Sequence, residues 1–100
     1  MVMNGDHIAG LKAAVEREHR APATFRTTER VRETVDGNPL ELEVAVFDIL
    51  GHPRALICYA WHAPIRRSDQ TRPITVLREG LIRSSLDAVR FALDEEERSR

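Results

Sequence analysis

The feature that most constrains the fold is the stretch from Leu40 to Ala63, LELEVAVFDILGHPRALICYAWHA. Two runs rich in β-branched and aromatic residues flank the breaker cluster Gly51-His52-Pro53, the pattern of a β-hairpin. Side chains alternate with period two along a strand. A three-residue turn therefore puts Leu40, Leu42, Val44 and Val46 on one face with Leu56, Cys58 and Ala60. Ala45, Phe47 and Ile49 share the other face with Ile57, Tyr59 and Trp61. A one-residue change in the turn exchanges the two sets on strand three. Either way both faces are apolar, which a sheet with one wet side does not need. Something must cover each of them.

The rest of the chain supplies the cover. Residues 6 to 20 read as a first helix, with Ile8, Leu11, Val15 and His19 on one face and Asn4 or Asp6 as the cap. Pro22 stops it. Strand one runs from Thr24 to Val35, with Arg26, Arg30 and Arg32 facing away from Phe25, Val31 and Val35. Asp36-Gly37-Asn38-Pro39 is a strong turn signal. With a two-residue loop, strand two (Leu40 to Ile49) pairs so that Arg32 opposes Glu41 and Arg30 opposes Glu43. Strand three spans Arg54 to His62, a polar connection spans Pro64 to Pro73, and Ile74 to Leu77 forms a short fourth strand. The last helix begins near Ser84 or Ser85, where Ser84-x-x-Asp87 resembles a capping box. Its stripe is Leu86, Val89 and Leu93, and the acidic run within 94–100 opposes the macrodipole, so that end frays.

The predicted class is α+β, a single domain over 1–100: a four-stranded antiparallel meander with an N-terminal and a C-terminal helix, in the order α-β-β-β-β-α. If both helices lie on the aliphatic face, the face of Phe47, Ile49, Ile57, Tyr59 and Trp61 is bare. Bare apolar patches mark interfaces, and two-fold symmetry lets one patch cover itself. The first expectation is thus a non-catalytic interaction protein, homodimeric through those residues and able to serve as an adaptor for another protein. The alternative arrangement puts one helix on each face of a monomer.

A net charge of -1 gives no global pull toward nucleic acid or anionic membrane. The single cysteine excludes an intrachain disulfide and suits a reducing compartment. The N-terminus lacks the basic and apolar regions of a signal peptide, and no apolar run reaches membrane-spanning length. The expected location is the cytoplasm, with no membrane partner. Of the fifteen basic residues only Lys12 is lysine. Arg26, Arg30 and Arg32, with Arg66 and Arg67 in the following loop, form a second candidate surface, one for nucleic acid, with Tyr59 and Trp61 as stacking platforms. Glu41 and Glu43 count against it by neutralising strand one. A third candidate is a small-molecule or enzymatic pocket between sheet and helices, lined by Tyr59 and His62.

The run VFDILGHPRALICYAWHAP, through its VFD, GHP and YAW elements, resembles small bacterial proteins of unknown function. The resemblance covers about a fifth of the chain and implies no activity.

No catalytic constellation is visible. His52 lies in a turn without an orienting carboxylate at fixed spacing. Cys58 and His62 share a strand face but stand about 13 Å apart at strand rise, too far for one metal ion. His7 and His19 sit at opposite ends of the first helix. Cys58 reads as a buried, inert thiol. Neither a metal nor a cofactor is expected.

Overall fold

The computed structural model describes residues 4–65 and 69–98. The elements are α1 (Gly5–His19), β1 (Ala23–Val35), β2 (Asn38–Ile49), β3 (Ile57–Pro64), β4 (Thr71–Leu77) and α2 (Ser85–Arg98). The strands form one antiparallel sheet in the order β1-β2-β3-β4. This is the α+β meander that the sequence predicts.

Local chemistry sets the ends. The Asn4 side chain accepts the His7 amide at 3.0 Å, so Asn4 is the cap of α1. At the other end Glu16 Oε2 accepts the Ala23 amide at 2.9 Å, and His19 Nε2 bonds Thr75 Oγ1 at 2.8 Å. These two contacts tie α1 to β1 and β4. Asp36 and Gly37 both take positive φ, 52° and 79°, and form a two-residue hairpin turn. Arg32 then lies opposite Glu41 and Arg30 opposite Glu43. Ser84 Oγ accepts the Asp87 amide at 3.1 Å, and Asp87 Oδ2 accepts the Arg83 amide at the same distance, which caps α2.

Two departures move side chains between faces. The connection from β2 to β3 is longer than three residues: Ile49 bonds back to the carbonyl of Leu56, and β3 begins only at Ile57. His52 winds this loop, its Nδ1 accepting the amides of Arg54 (3.1 Å) and Ala55 (3.3 Å). Phe47 now pairs with Cys58 and Val46 with Tyr59. The sets on strand three are thus exchanged relative to the three-residue turn. In β1 the register slips between Phe25 and Thr27, so the extra residue Arg26 turns the strand over. Phe25 faces Phe47, ring centroids 5.9 Å apart, while Val31 packs on the opposite face.

The consequence is two cores. Leu11 and Val15 of α1 cover Ala45, Phe47, Ile49, Cys58, Ala60 and Leu77 on one face. Ala88 and Val89 of α2 cover Val31, Val44, Val46, Tyr59, Trp61 and Val76 on the other, with Ile57 packed against them. The molecule has three layers, helix on sheet on helix, so the expectation of a face left bare by both helices is corrected. Phe47 is 0% exposed and Trp61 2%, each under a helix of its own chain.

Phe47→Ala and Trp61→Ala are each expected to cost about 3–5 kcal/mol in urea unfolding, because each empties one core. Leu81→Ser, at an exposed residue, should stay within about 0.5 kcal/mol. Equal effects at the three positions would contradict the two-core packing.

Candidate functional site

The structure disperses most of the residues that the sequence nominates. Phe47, Ile49, Tyr59 and Trp61 are buried and Ile57 is half-buried, so none of the five offers an open aromatic surface. The arginines of β1 are engaged. Arg26 Nη2 meets Asp48 at 2.6 Å, Arg30 meets Glu41 at 3.2 Å and Glu43 at 3.7 Å, and Arg32 meets Glu41 at 3.4 Å. Arg30 and Arg32 share the α1 face with Glu43 and Glu41, whereas Tyr59 and Trp61 lie on the α2 face, so the stacking platforms are not beside them. Arg66 and Arg67 fall outside the described residues.

Tyr59 and His62 are on opposite faces, since they stand three positions apart on one strand, and cannot line one pocket. Cys58 is fully buried, and burial pushes its thiol up to about 12, where it is inert at neutral pH. Among the described residues no group of three or more His, Cys, Asp or Glu could hold a metal ion. No helix among them is long and apolar enough to cross a membrane.

What the structure brings together lies at the end of the sheet where β2 turns into β3 and β4 leads into α2. An open cleft of about 650 Å³ runs between these two loops, lined by Pro53, Arg54, Leu56, Arg78, Ile82 and Arg83, with Gly80 and Glu79 among its other walls. The loop wound by His52 carries Leu56 out of the sheet, where it is 74% exposed, and Leu50 beside it is exposed as well. In the second loop Gly80 takes φ 61°, and Ile82 bonds back to Glu79 at 3.1 Å. That turn tucks Ile82 against the α2 core and leaves Leu81, between two lining residues, 91% exposed. Arg54 pairs with Glu79 at 3.7 Å. Arg78 and Arg83 make no ion pair among the described residues, so the cleft is apolar at its lips and positively charged along its walls.

Sequence reasoning missed this site for a definite reason. It placed Leu56 inside strand three, and Leu81 belongs to no amphipathic pattern. The one legible signal was Gly80, a breaker set beside an isolated leucine.

Comparison of the chain with protein-family models, with curated proteins and with solved structures finds no match.

Two partly buried histidines, His19 near this end and His62 toward the other, make stability depend on pH. Burial lowers the His19 pKa, reinforced by His52 and Arg54 and opposed by Glu18 and Glu79. Burial lowers that of His62 too, with His7 adding to the effect. Each then binds protons less readily folded than unfolded. The unfolded chain is favoured as pH falls through about 6.5 and on toward the folded values. The urea midpoint should hold steady above neutrality and decline from there to about pH 5.5, and His19→Gln should remove part of the decline. A midpoint that rises over that range would contradict the sign.

Proposed function

We propose that this domain is a non-catalytic interaction module that grips a short acidic segment of another protein, anchored by apolar side chains, in the cleft between the β2–β3 and β4–α2 loops. The observation that carries the reading is that solvent-exposed Leu56 shares the wall of one cleft with Arg78 and Arg83, which make no ion pair among the described residues, while exposed Leu81 sits between the lining residues Gly80 and Ile82. Exposed apolar surface rimmed by charge marks binding surfaces on soluble proteins, and buried anchors dominate their energetics. Three arginines against the single Glu79 complement a partner rich in Asp and Glu.

Two other classes of partner fit less well. No aromatic residue lines the cleft, so a nucleic acid finds phosphate contacts but no stacking platform. A bilayer is flat, whereas this surface is concave and suits an inserted side chain.

Display selection of random peptides on the immobilised domain is expected to enrich sequences that combine Asp or Glu with Leu or Phe. The selected peptides should bind Leu56→Ser/Leu81→Ser and Arg78→Glu/Arg83→Glu at least about tenfold more weakly, a loss of about 1.4 kcal/mol or more. Peptides without an acidic-apolar pattern, or peptides that bind both double variants as tightly as the wild type, would refute the reading. So would tighter binding of an oligonucleotide at the same site.

A further inference from the structure

At the far end of the sheet lies a second cleft, remote from the loops just described. The β2–β3 ladder stops at Ala45↔Ala60, whereas β2 remains paired with β1 as far as Asn38 and β3 with β4 as far as Pro64. The upper halves of β2 and β3 therefore form a fork in the middle of the sheet, with no ladder between them. A cleft of about 470 Å³ lies at this fork, lined by His7, Arg30, Glu41, Glu43, His62 and Thr71, with Leu42 between the two glutamates. Its size is that of a small-molecule site.

Two acceptors in the cleft are under-satisfied. His62 Nε2 is buried and has no hydrogen-bond partner among the described residues. The His7 ring lies edge-on against the His62 ring, with centroids 5.5 Å apart. A ring that donates from its other nitrogen presents a lone pair at Nε2. The second acceptor is Glu43, whose side chain is only 22% exposed and whose ion-pair contact with Arg30 is long, 3.7 Å. Arg30 leans instead toward Glu41, at 3.2 Å. Glu43 and His62 occupy the same sheet face, two residues beyond the last paired rung on their respective strands.

A buried acceptor without a donor is costly, and a half-buried carboxylate whose ion-pair contact is long is only partly compensated; both can accept from positively charged N–H groups. Arg30 and Arg32 both close on Glu41, which leaves Glu43, with its one long contact, as the carboxylate open to a cation. We infer that the fork between β2 and β3 is a binding site for a small primary amine, whose ammonium group donates to His62 Nε2 and Glu43 and whose carbon chain lies against the His7 ring. Arg30 and Glu41 close the β1 side of the site as a fixed ion pair, and the Thr71 hydroxyl offers a further acceptor.

Diaminobutane and butanediol, matched in length but not in charge, provide the probes for an NMR titration of the full chain. Diaminobutane is expected to shift the His62 ring nitrogens and the backbone amides of Glu41 to Glu43 saturably at concentrations up to about 10 mM. Butanediol should act at least about tenfold more weakly, and Glu43→Gln should weaken the diamine by a similar factor. His62→Asn, which keeps a polar side chain, should also lose the response while retaining the wild-type spectrum elsewhere. The inference is overturned by an unsaturated or absent response, by equal binding of the diol, or by diamine binding that survives Glu43→Gln. Because the cleft shares no lining residue with the loop-end surface, failure here leaves the peptide reading untouched, and the reverse also holds.

Discussion

Everything in this molecule follows from a sheet whose central strands are apolar on both sides. Burying a large aliphatic or aromatic side chain contributes about 1.5–3 kcal/mol, so neither face of β2 and β3 can be left to water. The chain has two helices to meet that demand, and it spends one on each face. Leu11 and Val15 of α1 close over Phe47, and Ala88 and Val89 of α2 close over Trp61. With both faces covered from within the chain, the two clefts proposed as binding surfaces lie at the two ends of the sheet. One is the pair of loops around Leu56 and Leu81; the other is the fork where β2 and β3 part.

How far the fold was legible depended on whether a local signal fixed the register. Asp36-Gly37 did so for β1 and β2, because only a tight turn with positive φ fits that dipeptide between two strands, and the pairing of Arg30 with Glu43 and Arg32 with Glu41 came with it. Asn4 and Ser84 marked the helix starts through plain capping chemistry. Gly51-His52-Pro53 marked a turn but not its length. The imidazole of His52 takes the role of an Asx side chain by accepting two amides, and this lengthens the loop by an amount that no composition rule encodes. Period-two alternation converts such an error into a complete exchange of faces. Of the candidate sites, His62 was visible as a residue, but its surroundings were not. They depend on where the β2–β3 ladder ends, which is a property of the sheet and not of any segment.

Part of the arginine-rich character of the chain is structural. Arg26, Arg30, Arg32 and Arg90 are held by Asp48, Glu41, Glu43 and Glu33, mostly across strands or between α2 and β1. These are exposed pairs whose individual contribution to stability is small. Their larger effect is on the β1 edge. Self-pairing of two β1 strands centred on Val31 would set Arg30 against Arg32 and Glu29 against Glu33, like charge against like, which protects a long edge strand from association. Arg78 and Arg83 stand outside this pattern.

The central claim is that both faces of the sheet are enclosed within a single chain, and the one tryptophan of the sequence reports on it directly. Trp61 emission and its quenching by iodide, measured across a dilution series with light scattering in parallel, separate burial by α2 from burial by a partner. The structure requires blue-shifted emission and low quencher access in a monomer, unchanged on dilution. Emission that moves to the red and becomes quenchable as an oligomer dissociates would show that the α2 face is open in the isolated chain, and would contradict the three-layer packing.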